Sequence, residues 1–566
     1  MLTSLMNTLA AWIALAAALA ANPWLLARLC RPRANWITTG AFAAVTAIVL
    51  NTLIPILIHL GRVPISALTL ATPHLVLAAI LFASSRLLQR PLCPPAPIPS
   101  GSLAILIGFA LLVFPITHLA GIDTYKWQGL AKAVRVEACI PWLIHPASLL
   151  GFTPRAYPPV QPLLLASVQI MGGLGVGAGF YIVSLISAVA AYCLCHLLGQ
   201  RIFETPRYAT WFSFFYLFSP VFVRYNHWAT GRGLFLAVFP LVLLAVTALP
   251  RPRAGLGLLF ACLLAALTHK VGLVAAALAL TCGLASFLLP RTTSRILPVV
   301  LALPFVAAAV LFSPQLGPPG AGQVLGFLRT ALTRFGWMLP AAALGLLSPV
   351  AWLDSLRQRR LFPLMLATLP LAFPSDMYGA LIALPLVTLA ATSGLVWIGN
   401  SHPRLEKPLL TTVAVLTLAG ALGIVGQRTL GAMPPRVYRA AQFLEHYDPH
   451  GPYQVFAPGR ARVQFHAYVS GCPRFSVTPA DQATLTRRDF PSLRGKPADI
   501  AATWIDFGRN FIELGDTEVE WYGANPRLYF VRIDGEGDAP EHEQLLYQTE
   551  GIEIIKPADQ PTPIPD

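Results

Sequence analysis

The stretch WITTGAFAAVTAIVLNTLIPILIHL, residues 36–60, runs for 25 positions without an acidic or basic side chain other than one histidine. An α-helix needs about 20 predominantly apolar residues to cross the hydrocarbon core of a bilayer. The chain around it has the same character, since 55% of its 566 residues are apolar and 11% are charged. A soluble domain has about 25% charged residues. The composition therefore excludes an ordinary soluble enzyme, a disordered protein and a disulfide-rich scaffold.

Similar apolar runs recur through residues 1–427 and predict a polytopic α-helical membrane domain of about 14 spans. We place these spans at residues 5–29, 36–60, 67–85, 103–120, 177–198, 208–223, 234–249, 256–268, 271–289, 296–312, 338–353, 361–373, 378–398 and 409–426. A further apolar run at 163–172 is too short to cross the bilayer. We predict that it forms an in-plane or re-entrant piece.

Charge is divided unevenly along the chain. Residues 1–427 contain 26 lysines and arginines but six acidic residues. Residues 428–566 contain 14 lysines and arginines and 19 acidic residues. With 14 spans, the basic clusters all fall on one side, which the positive-inside rule makes the cytoplasm. These clusters are Arg28/Arg31/Arg33, Arg86/Arg90, Arg201/Arg207, Arg251/Arg253, Arg291/Arg295, Arg357/Arg359/Arg360 and Arg404/Lys407. The basic balance thus reflects membrane loops and does not indicate nucleic-acid binding.

The last 139 residues have the composition of a water-soluble domain. Short strand-like runs predict a small α/β or α+β fold, and the topology places it outside the cytoplasm. These runs lie at 453–457, 462–468, 500–505, 528–533 and 551–556. We therefore predict two domains: a membrane domain at 1–427, with a large outer loop at 121–162, and a soluble extracytoplasmic domain at 428–566.

Acidic residues are rare in the membrane part, so those predicted on its outer face are candidates for catalysis. They are Asp123, Glu137 and Asp376. Ionisable residues close to a bilayer are costly and are functional candidates by default. Each also has an ordinary explanation: a helix-end charge for Asp123, an ion pair with Arg135 for Glu137, and a turn residue for Asp376.

The outer loop begins GIDTYKWQGLAKAVRVEACIPWLIHPASLLGFTPRAYPP, residues 121–159, and is too long for a simple connection. Residues 124–137 predict an amphipathic helix lying on the membrane. Its Lys126, Lys132 and Arg135 are expected to point towards lipid headgroups, with Trp127 at the interface. Prolines force irregular backbone in the rest of the loop.

This loop resembles that of the polyprenyl-phosphate-sugar-dependent integral-membrane glycosyltransferases, the GT-C class, which includes the protein-mannosyltransferase and aminoarabinose-transferase-like superfamily. The likeness lies in Asp123 just after a span, an in-plane helix, and Tyr-Pro-Pro at 157–159 before an apolar run. His269, within Leu-Thr-His-Lys at 267–270, resembles the membrane-level histidine of some branches of this class. A soluble outer domain after the last span is also usual in the class.

The resemblance implies a membrane glycosyltransferase that moves a hexose or pentose, with inversion, from a polyprenyl-phosphate donor. The acceptor is a glycan, lipid or protein on the outer face of a bacterial inner membrane. By resemblance Asp123 is the general base, with Glu137 or Asp376 as a second acid. Many members have paired acids here, whereas Thr124 follows Asp123. A Mg²⁺ or Mn²⁺ ion is therefore optional, and we name no metal ligand.

Basic groups on the predicted outer face are candidates for holding the donor phosphate as negative charge builds on it. The substrate-binding candidates are Lys126, Arg155, Tyr157, Arg224, His227, Arg232, His269 and Lys270. Tyr157 is also expected to shape the loop together with its two prolines. Attraction to anionic lipid headgroups is the plain alternative for any one of the cations.

Three other functions stay open. A transporter or lipid flippase predicts inverted repeats and polar residues at mid-membrane, and the sequence shows no internal repeat. A glycan ligase would depend on outer-loop arginines and histidines more than on Asp123. A non-catalytic scaffold predicts that Asp123 can be replaced without loss.

Two cysteines, Cys139 and Cys472, are predicted on the oxidising side of the membrane. A disulfide between them would dock the C-terminal domain over the outer loop. The alternative is a pair of unrelated thiols.

Overall fold

The computed structural model describes residues 2–92, 97–114, 122–140, 143, 149, 158–203, 205–228, 230–249, 252–288, 332–347, 377–429, 434–448, 453–456, 527–537 and 542–558. These residues form a polytopic α-helical membrane domain and a small C-terminal sheet. The helices, in chain order, are α1 Leu2–Ala16, α2 Asn22–Cys30, α3 Trp36–Leu60, α4 Ala67–Leu87, α5 Ser100–Val113, α6 Ile122–Glu137, α7 Val160–Gly172, α8 Val176–Phe203, α9 Pro206–Leu217, α10 Pro220–His227, α11 Gly231–Ala248, α12 Pro252–Thr268, α13 Val271–Leu288, α14 Met338–Leu347, α15 Met377–Ser401, α16 Pro403–Thr429 and α17 Pro435–Tyr447. A π-helical turn, Ala17–Ala21, joins α1 to α2.

The long helices lie where the sequence is most apolar. Within the described residues, seven helical stretches are long and apolar enough to cross a bilayer, and four shorter helices are also apolar. The predicted count of 14 spans is not confirmed, and the predicted spans at 296–312 and 361–373 lie outside the described residues. Large apolar side chains such as Leu57, Leu68 and Leu256 are exposed on the outside of the helices, as contact with lipid requires.

The predicted single span at 208–223 is wrong in one respect, because two helices, α9 and α10, occupy it. The break falls at Phe218 and Ser219, before Pro220. Proline disfavours the helical conformation at the residue before it, and proline itself suits the first position of a new helix. Ser219 then caps α10, since its hydroxyl oxygen accepts the backbone N–H of Phe222 at 3.2 Å.

The short apolar run predicted at 163–172 forms α7, which is about 20 Å long at 1.5 Å per residue. Twelve of its 13 residues are buried. The Ser167 hydroxyl donates to the backbone oxygen of Asn51 in α3 at 3.0 Å. Because other helices surround α7, the re-entrant alternative fits it better than a place on the membrane surface.

The C-terminal sheet has four strands in the order β1-β2-β4-β3. Its strands are β1 Tyr453–Phe456, β2 Arg527–Ile533, β3 Glu543–Thr549 and β4 Ile552–Pro557. β1 pairs with β2 in parallel, and the other two pairings are antiparallel. α17 is joined to this sheet by Arg436, which donates to both carboxylate oxygens of Asp534 at 2.7 and 2.8 Å. The mixed sheet with its helix agrees with the predicted class, and two predicted strand runs, 462–468 and 500–505, lie outside the described residues.

Candidate active site

Helix α6, which carries Asp123, lies across the ends of several membrane helices. Near its start, the Thr124 hydroxyl donates to the backbone oxygen of Trp228, between α10 and α11, at 3.2 Å. Past its end, the Ile140 N–H donates to Nδ1 of His59, in the last turn of α3, at 3.2 Å. Because α6 contacts helix ends at both of its own ends, it runs along one face of the membrane domain. This agrees with the in-plane helix predicted from the sequence.

The surroundings of α6 differ from the prediction. Lys132 was expected among lipid headgroups, but it is only 3% exposed, and every residue from Leu130 to Val134 is buried. Arg135 is exposed, as expected. Buried Gln128 accepts a hydrogen bond from Nε2 of Gln169 in α7 at 2.9 Å. α6 is therefore packed inside the protein along much of its length, and α7 contacts it through this pair of glutamines.

Trp127 is buried against protein and is not at a lipid interface. Its ring lies against Gly231, the first residue of α11, where an added Cβ would come within 2.6 Å of Trp127 Cη2. The same Cβ would lie 2.8 Å from the backbone oxygen of Thr268, the last residue of α12. Glycine at 231 thus allows α6, α11 and α12 to meet at one point.

The connection between α10 and α11 places three of the predicted cationic or polar candidates beside the start of α6. Arg224 is half-buried and His227 is buried on α10. Arg232 on α11 lies over the ring of Tyr225, with 5.4 Å between its Cζ and the ring centroid. Asn226 fixes this region to α8, since its Nδ2 donates to the Ser184 backbone oxygen at 3.0 Å.

The turn between α12 and α13 contains His269 and Lys270. The backbone N–H of Val271 donates to Nδ1 of His269 at 3.1 Å, so the neutral ring keeps its hydrogen on Nε2. Gly272 is required here, because an added Cβ would lie 1.9 Å from the backbone oxygen of Ala265. The turn thus presents one buried imidazole and one half-buried ammonium group.

The start of α11 lies close to this turn, since a Cβ added at Gly231 would come within 2.8 Å of the Thr268 backbone oxygen. Burial, followed by the positive charges of Arg232 and Lys270, holds the pKa of the His269 imidazole well below its usual range. The ring is therefore neutral near pH 7 and acts as a hydrogen-bond donor through Nε2. The two cations with this donor form a positively charged region next to the start of α6, which is chemically suited to a phosphate.

The structure therefore brings the backbone of Asp123 and the candidates Arg224, His227, Arg232, His269 and Lys270 to one face. Glu137 is at the other end of α6, 14 residues from Asp123 and about 21 Å away along the helix axis. The side chains of Asp123, Lys126 and Glu137 lie outside the described part, as do Arg155, Tyr157 and Asp376 entirely. Their predicted roles stay predictions. Cys472 also lies outside the described residues, so its pairing with Cys139 stays a prediction.

No group of three histidine, cysteine, aspartate or glutamate side chains that could hold a metal ion occurs in the described ranges. His227 and His269 are the buried histidines of this face, and the groups described beside His269 are cations. Cations disfavour a divalent metal ion. The described residues thus do not fit a metal site, and we assign no chemical step to a metal.

The residues that hold α6 in place are not among the candidates predicted from the sequence. Thr124, Trp127 and Gln128 contact α10–α11 and α7 through side chains that recur at helical spacing. That spacing was visible in the sequence, but the partners are about 40 to 100 residues away. Gly231 and Gly233 at the start of α11 were the other available signal of a close approach.

No protein-family model matches the chain. No curated protein matches it either. Nine chains of solved structures do match it, and we describe three of them. The first is an oligosaccharyltransferase from Archaeoglobus fulgidus in complex with Zn and sulfate, with 14% identity and a TM-score of 0.45. This match covers 65% of the chain and 61% of the oligosaccharyltransferase, so the chain spans less than two thirds of that protein.

The other two are structures of ArnT from Cupriavidus metallidurans. The apo form has 16% identity and a TM-score of 0.46, with 75% of this chain and 95% of ArnT covered. The form bound to undecaprenyl phosphate has 14% identity and a TM-score of 0.47, with 81% of this chain and 98% of ArnT covered. These matches agree with the resemblance to GT-C glycosyltransferases. Because every TM-score is below 0.5, they support no conclusion about the chemistry of this chain.

Proposed function

We propose that this protein transfers a sugar from a polyprenyl-phosphate donor to a hydroxyl group of an acceptor, at the membrane face along which α6 lies. The observation that supports this most is the meeting of three segments there. The start of α6 bears Asp123, the adjoining ends of α10 and α11 bear Arg224 and Arg232, and the α12–α13 turn bears His269 and Lys270. An acid beside a cluster of cations at the bilayer surface suits a lipid phosphate sugar and its acceptor.

In the proposed reaction, the acceptor oxygen attacks the anomeric carbon of the donor sugar. The bond from that carbon to the phosphate oxygen breaks, and the polyprenyl phosphate leaves with the bonding electrons. The hydroxyl proton passes to the Asp123 carboxylate, which acts as general base. Attack from the side opposite the phosphate inverts the configuration of the sugar. Glu137 and Asp376 stay the predicted alternatives for a second acid, and the backbone of Glu137 lies about 21 Å from that of Asp123 along α6.

The cations stabilise the leaving group. The phosphate gains one negative charge as the bond breaks, and fixed positive charges close to it lower the barrier to this step. Arg232 and Lys270 supply these charges, and neutral His269 donates a hydrogen bond from Nε2. The partial burial of both cations increases the effect, since water screens them less.

The test is transfer of radiolabelled sugar by the purified full-length protein, from a panel of polyprenyl-phosphate donors to membrane extract. We expect transfer by the native protein and a loss of at least about tenfold in Lys270→Gln, since a hydrogen bond to a charged group contributes about 1.5–3 kcal/mol. Arg253→Gln is the matched control, because Arg253 is exposed at the opposite end of α12. We expect no change in that variant. No transfer from any donor would refute the proposed function, and equal transfer by Lys270→Gln would refute the role of Lys270.

A further inference from the structure

A second positively charged region lies at the opposite face of the membrane domain, where α2 ends and α3 begins. α3 runs for 25 residues, or about 37 Å, from Trp36 to Leu60. Its last turn contacts the end of α6 through His59 and Ile140. The start of α3 therefore lies about one membrane thickness away from the face that contains the candidate active site.

This face contains a shallow cavity of about 650 Å³ that is widely open at the protein surface. Its lining residues are Arg31, Pro32, Arg33, Ala34, Thr38 and Arg90. The first four belong to the α2–α3 connection, Thr38 lies in the first turn of α3, and Arg90 follows α4. Three arginines thus converge from two separate segments. The first turn of α3 adds the partial positive charge of a helix N-terminus.

A buried arginine links the two segments that line the cavity. Arg28, which is fully buried, donates from Nε to the backbone oxygen of Pro91 at 3.2 Å and from a terminal nitrogen to that of Ala34 at 2.9 Å. It also donates to the backbone oxygen of Pro32. Trp24 supports the same arrangement, since its Nε1 donates to the backbone oxygen of Leu92 at 2.9 Å. The two segments that carry the lining arginines are therefore fixed relative to each other.

The lining arginines are available to a ligand. Arg31, Arg33 and Arg90 are exposed, and their guanidinium groups form no hydrogen bond or ion pair in the structure as far as its described ranges extend. The sequence contains no acidic residue before Asp123. The positive-inside rule accounts for basic residues between spans. It does not account for a preformed cavity that is held by a buried arginine and lined by three more.

We propose that this cavity binds the phosphate of an anionic phospholipid headgroup. Guanidinium groups suit phosphate because they offer several donors in a planar fork. Basic pockets between membrane helices bind lipid headgroups in this way. The lipid, and not free phosphate, is favoured by Leu87 and Leu88, which are exposed at the end of α4 close to Arg90 and can contact acyl chains. The site is independent of the proposed glycosyl transfer.

The test measures lipid binding to the purified full-length protein in detergent by native mass spectrometry. The probes are phosphatidylglycerol, zwitterionic phosphatidylcholine, and inorganic phosphate. The test variant replaces Arg31, Arg33 and Arg90 by glutamine. The control variant replaces three exposed arginines elsewhere, Arg62, Arg253 and Arg404, and so removes the same charge. Melting temperatures without lipid establish that each variant folds, and Arg33→Gln alone is the milder variant.

We expect the native protein to bind phosphatidylglycerol more tightly than phosphatidylcholine. Each arginine near a charged lipid surface strengthens binding by roughly fivefold, so the triple variant should bind on the order of 100-fold more weakly. Arg33→Gln should lose roughly fivefold, and the control variant should match the native protein. Equal phosphatidylglycerol affinity in the test variant would overturn the site. Binding of inorganic phosphate without preference for phosphatidylglycerol would overturn the lipid as its ligand.

Discussion

Thr124 donates a hydrogen bond to the backbone oxygen of Trp228 across 3.2 Å, although 104 residues separate them in the sequence. This contact joins the residue after Asp123 to the connection that follows His227. The position of the candidate base thus depends on α10 and α11 as well as on α6. The relationship explains why residues that touch no substrate can influence the proposed reaction.

Replacing Gly231 by alanine should displace α6. The new methyl group would lie 2.6 Å from Trp127 Cη2 and 2.8 Å from the Thr268 backbone oxygen, and backbone cannot yield as a flexible side chain can. Overpacking of this kind lowers the free energy of unfolding by about 1–3 kcal/mol. We expect a lower melting temperature and a loss of sugar transfer of at least about tenfold. Both are measured on purified protein.

Gly257→Ala is the control for that variant. Gly257 lies in α12, and an added Cβ there meets nothing within 4 Å. Alanine has a higher helix propensity than glycine, so stability should stay equal or rise slightly. Native-like transfer by Gly231→Ala would show that the contact of α6 with α11 does not position the site.

The buried pair Gln128 and Gln169 should be energetically coupled. Either single leucine substitution leaves the other amide buried without its 2.9 Å partner, which costs about 1–3 kcal/mol. The double variant has no such orphan amide, so it should be less destabilised than the sum of the single variants. Unfolding free energies of the four proteins give the coupling directly. Strict additivity would mean that the hydrogen bond does not hold α6 on α7.

His269 should make stability depend on pH. Its pKa is held well below the usual value in the folded protein by burial and by Arg232 and Lys270. The unfolded chain binds a proton at this residue below about pH 6.5, whereas the folded protein does not. The contribution of His269 to the free energy of unfolding is therefore complete above that pH and is lost as the pH falls. The melting temperature of His269→Gln should fall less between pH 7.5 and 5.5 than that of the native protein.

The control for this comparison is His402→Gln, because His402 is exposed in the turn between α15 and α16. It should keep the pH dependence of the native protein. If the melting temperature of His269→Gln falls as steeply as that of the native protein, the imidazole is not held neutral by its surroundings.

The helices could be predicted from the sequence because hydropathy is a local property. The predicted span 36–60 coincides with α3, and 67–85 and 271–289 differ from α4 and α13 by two residues or fewer. The break between α9 and α10 was missed, although Ser219 and Pro220 signal it, because the apolar run continues across them. β3 was also missed, since EQLLYQT has few β-branched residues and lies at the edge of the sheet.

The candidate site was predictable only in part, because its assembly depends on contacts between distant segments. The residue types that suit phosphate chemistry could be selected individually, and five of them lie at one face with the start of α6. The burial of Lys132 could not be foreseen, because a lysine on a polar helix face is ordinarily solvated. Nor could the sequence reveal that α7 packs against α6 through Gln128 and Gln169.

The central claim is that Asp123 is the base for sugar transfer at this face. The most direct measurement compares transfer of radiolabelled sugar from polyprenyl-phosphate donors by native protein and by Asp123→Asn, at equal amounts of folded protein. Glu406→Gln is the control, because Glu406 is engaged elsewhere with Arg207 at 3.1 Å. Removal of a general base costs about 10²–10⁴-fold. We predict such a loss in Asp123→Asn and none in Glu406→Gln, whereas undiminished transfer by Asp123→Asn would contradict the claim.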